Sequence, residues 1–305
     1  MMNAASRFPK PFPPPFASAW GDDAFGLWAE FRMETPGGES VVQNFRWIEP
    51  GAFWMGSPDE EPQRYADEGP RHPVTISRGF WLADTACTQA LWQAVMGDNP
   101  SQFKDDPQPV ETVSWGEVQE FLRRLQSLLP GCQADLPSEA EWEYACRAGT
   151  TTPFCFGPQI TPQQVNYHGN YPYANGESGE YRQKTVAVKS LPANTWGLYE
   201  MHGNVWEWCK DGQRTYDEQA QIDPLGPLTG DELPRSVRGG SWISYAWWSR
   251  SAYRYADRPG SADYNLGFRF CLRSIEPGLE SGLPGGTPGR ASGASPSRFD
   301  ARALF

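Results

Sequence analysis

From Thr150 onward, every short apolar run is interrupted by Gly, Pro, Asn or Tyr, a pattern that predicts long loops pinned to a few short strands. Loops in such number must satisfy their backbone N–H and C=O groups without sheet ladders. Side-chain hydrogen bonds and bound cations are the usual means, so a metal is expected. Helical periodicity is confined to the first half of the chain. Residues 88–96 (TQALWQAVM) and 114–129 have helical character, and in the latter Val118, Phe121, Leu122 and Leu125 form one apolar stripe. A third helix is expected over residues 138–148 (SEAEWEYACRA). Ser114 with Glu117, and Ser138 with Glu141, stand in capping-box spacing.

The 305 residues are 39% hydrophobic and 21% charged, enough for one large domain or two small ones. A formal charge of −11 argues against a nucleic-acid partner, which demands clustered Lys and Arg, and favours cations or a plain solubilising surface. No stretch is apolar for the ~20 residues that span a bilayer, so no membrane partner is expected. Prolines 9, 11, 13, 14 and 15 break any signal-peptide core, and a cytoplasmic protein is expected. The six cysteines show no zinc-ligand spacing and are expected to be free thiols. The expected organisation is a Pro-rich mobile arm over residues 1–20, a continuous domain over 21–275 and a disordered Gly/Pro/Ser-rich tail over 276–305.

Several motifs occur in a fixed order: FRWIEPGAFWMGS (45–57), PVETVSW (109–115), LPSEAEWEYACRA (136–148), GLYEMHGNVWEW (197–208), RGGSW (238–242) and NLGFR (265–269). In this order they resemble the formylglycine-generating-enzyme, or sulfatase-modifying-factor, family. The resemblance covers residues 45–273. It implies an α+β, C-type-lectin-like fold with little regular secondary structure and long ordered loops.

The resemblance also implies where chemistry would sit. In the family's enzyme, two cysteines follow the RGG-S-aromatic motif and bind copper(I), which activates oxygen. Counting from Trp242, those places hold Ser244 and Ser249, and no cysteine lies between Cys209 and Cys271. A serine hydroxyl is a hard, weakly acidic donor, whereas copper(I) selects thiolate. The family's non-haem iron branch needs a histidine cluster, but only His72, His168 and His202 exist, with structural hydrogen-bonding roles expected for His72 and His202. A non-catalytic protein is therefore expected. A metal-dependent oxidative tailoring enzyme of the same superfamily remains the alternative.

Between RGGSW and NLGFR the chain is rich in Tyr, Trp, Ser and Asp, the composition of a recognition surface. The candidate ligand-binding residues are Ile243, Ser244, Tyr245, Trp247, Trp248, Tyr255, Asp257, Asp263, Tyr264 and Asn265, while Tyr253 is assigned to the framework. The spacing RGGSW-x7-RSAYR-x4-P-x5-NLGFR is similar to that of variable proteins of diversity-generating retroelements, in which template adenines are randomised. All ten candidates except the two tryptophans are reachable from an AAC codon by changing adenines only. Trp247 and Trp248 would need a template codon such as AGG. The implied partner is a protein or other macromolecule bound by a monomer.

The resemblance finally implies structural calcium. One donor set matches the side chains of Glu200 and Glu207 with the carbonyls of Gly203 and Val205. A second matches Asn166, the carbonyl of Tyr167, Glu180 and the carbonyl of Arg182. Hard oxygen donors suit Ca²⁺, and its expected role is to fix loops beneath the recognition surface.

Overall fold

The computed structural model describes residues 8–35, 37–228 and 233–275. The expected tail, 276–305, lies outside these residues. The strands in chain order are β1 (Ala19–Asp23), β2 (Gly26–Glu34), β3 (Ser40–Ile48), β4 (Gly51–Met55), β5 (His72–Ile76), β6 (Phe80–Ala83), β7 (Cys132–Asp135), β8 (Trp206–Trp208), β9 (Gln221–Ile222), β10 (Arg235–Arg238), β11 (Tyr255–Asp257), β12 (Leu266–Gly267) and β13 (Cys271–Ser274). They form a six-stranded sheet (β1-β2-β3-β6-β13-β7), a four-stranded sheet (β11-β10-β8-β12) and a three-stranded sheet (β4-β5-β9).

The three helices fall where their periodicity and caps place them: α1 (Gln89–Met96), α2 (Trp115–Gln126) and α3 (Glu139–Arg147). The Ser114 hydroxyl accepts from the Glu117 N–H while the Glu117 carboxylate accepts from the Ser114 N–H, a reciprocal box repeated by Ser138 and Glu141 at α3. Helix α2 buries Val118, Phe121, Leu122 and Leu125. Phe121 stacks on Trp92 of α1, with ring centroids 5.4 Å apart, and meets Phe268 and Phe270 edge-on. This aromatic centre joins the helices to the six-stranded sheet.

The expected mobile arm needs correction. Its described part, from Phe8, is built into the fold: Phe16 is buried against Phe45 and Trp81, and β1 pairs with β2 from Ala19. A proline-rich composition lowers the entropy lost on ordering, and one buried Phe anchors such a segment. All six cysteines are unbridged. Among the described residues, no helix is long and apolar enough to cross a membrane.

Candidate recognition site

The four-stranded sheet builds the floor of the site. Its register sets Val237 opposite both Tyr255 and Trp208, Arg235 opposite Asp257, and Leu266 opposite Trp206. Because strand side chains alternate between faces, Trp206, Val237, Tyr255, Asp257 and Leu266 share one face. Glu207 and Arg238 turn to the other. The first face, with residues 243–248 and 263–265, encloses a concave pocket of about 280 Å³ lined by Trp206, Val237, Ile243, Ser244, Trp248, Tyr253, Tyr255, Asp257, Asp263, Asn265 and Leu266.

Seven of the ten residues predicted from sequence are thus brought together: Ile243, Ser244, Trp248, Tyr255, Asp257, Asp263 and Asn265. Tyr245 lies beside this group, stacked on Trp248 at 4.8 Å. Tyr264 is exposed and packs on Trp242. Two of the ten are engaged with the frame. Trp247 is not among the lining residues and packs against the buried cluster of Phe154, Ile160, Val165, Tyr167 and Tyr173. Ser244 lines the wall, but it is buried and its hydroxyl is spent on the frame, accepting from the Ser241 N–H at 2.9 Å and pairing with the Ser241 hydroxyl at 3.1 Å. Sequence reading missed Trp206, Val237 and Leu266 as lining residues and left Tyr253 to the framework. The alternation in Trp206-Glu207-Trp208 puts Trp206 and Glu207 on opposite faces but carries no signal of which face meets the pocket.

Buried ion pairs hold the pocket-bearing segment from behind. Arg250 pairs with Glu61 and Glu68 at 2.6–2.7 Å and donates to the Gln63 carbonyl. Arg254 forms a bidentate pair with Glu139 of α3, both bonds 2.7 Å. Arg238 donates to Glu143 at 2.5 Å and to the carbonyls of Ser251 and Tyr253. Burial opposes each cation, but the facing carboxylates outweigh it and raise the pKa of all three guanidiniums. The glycines of RGGSW are required here. Gly239 and Gly240 sit at φ +97° and +76°, and a Cβ on Gly240 would run into Ser249.

Ser244 and Ser249 are both buried: the Ser244 hydroxyl is bonded as above, and the Ser249 hydroxyl has no hydrogen-bond partner among the described residues. The one thiol in contact with an imidazole among the described residues is Cys146, 3.7 Å from His202 Nε2. Burial pushes the Cys146 thiol up to about 12 and the His202 imidazole down to about 4. A nucleophilic pair needs the opposite, a thiolate beside an imidazolium. His202 instead ties loops together, its Nδ1 bonded to the Ser249 carbonyl at 2.7 Å and its Nε2 accepting from the Cys155 N–H at 3.1 Å.

The two donor sets implied for calcium differ. In the first, both Glu207 oxygens are taken by Arg269, at 2.7 and 2.8 Å, and Oε2 also accepts from Trp142 Nε1 at 2.7 Å. Glu200 is buried, accepts from the Lys189 and Leu191 N–H groups, and is raised by burial to about 7. Glu207 as arranged therefore does not fit the role of a cation ligand, because sheet alternation turns it toward Arg269. The second set fits better. Asn166 is buried with its Oδ1 unpartnered, while its Nδ2 donates to the Lys184 carbonyl and to Asn204. The Glu180 carboxylate is exposed and held only by a 3.0 Å surface pair with Arg182.

The family model for the sulfatase-modifying factor enzyme 1-like domain matches residues 33–275. The formylglycine-generating enzyme of Streptomyces coelicolor is 38% identical over 228 residues, covering 68% of this chain and 69% of that protein. The mouse formylglycine-generating enzyme is 33% identical over 208 residues, and the match spans 52% of its length. Among solved structures, Treponema denticola variable protein 1 superposes with a TM-score of 0.65 at 26% identity, covering 80% of this chain and 99% of that one. The chain belongs to the formylglycine-generating-enzyme, or sulfatase-modifying-factor, family and has its C-type-lectin-like fold.

Proposed function

We propose that this chain is a non-catalytic binding protein of the diversity-generating-retroelement variable type, presenting residues 243–265 to a partner macromolecule from a cytoplasmic monomer. The observation that carries this reading is the pocket: seven residues of the candidate variable set converge in it, and no thiol, imidazole or amine lines it. A diversified surface must accept many side chains without loss of the fold. Tyr255 and Tyr264, at 45% and 39% exposure, and the exposed Asp263 have that freedom, whereas Arg250 and Arg254 behind them do not. Calcium at Asn166, with the Tyr167 and Arg182 carbonyls and Glu180, would clamp the loop beside this surface.

The test is tolerance. A library randomised together at Ile243, Tyr255, Asp263 and Tyr264 should remain folded in most members, with melting temperatures within a few degrees of the parent, as surface substitutions cost under about 0.5 kcal/mol each. Unfolding of most members would overturn the reading. The similarity to formylglycine-generating enzymes keeps a second reading in view, an oxidative enzyme with altered ligands. Oxygen uptake with copper(I) and a cysteine-containing peptide separates the two, and none is expected with Ser244 and Ser249 in place of thiols.

A further inference from the structure

Four aromatic side chains form the apolar wall of the recognition pocket. Trp206 lies with its ring centroid 5.8 Å from Tyr253 and 5.7 Å from Tyr255, and Trp248 lies 6.4 Å from Tyr253. None of these pairs is stacked: the interplanar angles are 41°, 37° and 41°, and all four rings line the one pocket. The remaining wall carries two carboxylates, Asp257 and Asp263. Asp257 Oδ1 accepts from the Ser261 hydroxyl at 2.6 Å and the Arg258 N–H at 2.7 Å. Neither carboxylate has an ion-pair partner among the described residues, whereas Glu61, Glu68, Glu139, Glu143 and Glu207 are each matched to an arginine. Burial and then these two charges raise the pKa of the Tyr255 hydroxyl, so both carboxylates act on the ring that edges the pocket.

We infer that this pocket is a cage for an organic ammonium group, the aromatic faces of Trp206, Trp248, Tyr253 and Tyr255 taking the cation and Asp257 and Asp263 supplying the counter-charge. The faces of aromatic rings carry negative potential, and a cation within ~6 Å of a ring centroid is attracted to them, most strongly where water is displaced. An apolar guest would gain from the rings but leave the half-buried Asp257 carboxylate beside it without a counter-charge. An anion would be repelled. At about 280 Å³ the space lies just below the ~300–1,000 Å³ range of ligand pockets, which suits a compact headgroup such as trimethylammonium. The net charge of −11 adds a long-range field of the same sign. The partner is therefore one that presents an ammonium centre, as a methylated lysine side chain or as a free quaternary amine.

The inference rests on the recognition reading above and is tested with choline against its neutral isostere 3,3-dimethylbutan-1-ol, titrated into the full chain and followed by tryptophan fluorescence and calorimetry. Choline should bind about tenfold more tightly than the isostere, with affinity falling as salt is raised. The double variant Asp257→Asn/Asp263→Asn should lose that preference with an unchanged melting temperature, and Tyr255→Leu should weaken choline binding about fivefold while keeping the apolar area. A trimethyl-lysine peptide binding more tightly than choline assigns the cation to a protein partner, and the reverse assigns it to a small molecule. Equal affinity for choline and its isostere, or no choline binding in the millimolar range, overturns the inference. Either result with a surface that tolerates randomisation removes the ammonium alone, whereas an intolerant surface removes the recognition reading itself.

Discussion

The Arg250 guanidinium donates to both oxygens of Glu68, at 2.6 and 2.7 Å, with both side chains fully buried. A pair of this kind adds little net stability over apolar packing, but removing one partner leaves an uncompensated buried charge. Here it fixes position: it docks the end of the pocket-bearing segment onto residues 61–68, with Glu61 as a second acceptor. Replacing Arg250 with Met should cost about 3–5 kcal/mol in urea unfolding, because Glu61 and Glu68 stay behind without a cation. A loss below about 1 kcal/mol would mean that the loop can let water reach both carboxylates.

Phe16 carries a second prediction. It is 6% exposed and packs edge-on against Phe45 and Trp81, 5.4 and 6.1 Å away. Phe16→Ala should destabilise the protein by about 3–5 kcal/mol, the usual cost of emptying a buried aromatic site. Chemical denaturation of the two proteins side by side measures it. An unchanged midpoint would show that the segment before β1 only rests on the surface.

The buried His202 predicts a pH dependence. Its folded pKa, about 4, lies below the ordinary value of 6.5 because burial disfavours the imidazolium. Stability from the neutral ring is fully present above pH 6.5 and is lost as pH falls from there toward 4, since the unfolded chain takes up the proton first. The loss should approach about 3 kcal/mol. Protonation would also break the bond that Nε2 accepts from the Cys155 N–H. Glu200, raised by burial to about 7, gains stability as pH falls over the same range, so the His202 limb is read as a difference: across pH 7.5–4.5 urea unfolding should show the parent losing stability relative to His202→Gln, which has no proton to gain.

Calcium binding at the second donor set would stabilise the folded state by about 2.7 kcal/mol at a hundredfold excess over Kd. Calcium should raise the melting temperature and EGTA should reverse the rise. Asn166→Leu, which removes the unpartnered Oδ1 while filling the site, should abolish the response. A melting temperature indifferent to EGTA in the parent protein would exclude the metal.

What the sequence determined by itself was local. The apolar spacing and reciprocal caps of α2 and α3, the loop-rich second half, the serines at Ser244 and Ser249, and the aromatic and acidic make-up of residues 243–265 all depend on a residue and its near neighbours. The directions of side chains were decided only by tertiary structure. Strand register sends Trp206 and Leu266 into the pocket and Glu207 away from it toward Arg269, and no local pattern can establish which face of a three-residue strand will be covered. Trp247 and Trp248 are chemically identical neighbours, yet one joins the cluster around Phe154 and the other lines the pocket. The same holds for Phe16, whose proline-rich surroundings suggest an arm while its burial depends on Phe45 and Trp81, far along the chain. Long-range packing decides in each case because burying a large apolar or charged side chain outweighs the weak preferences of the segment that carries it.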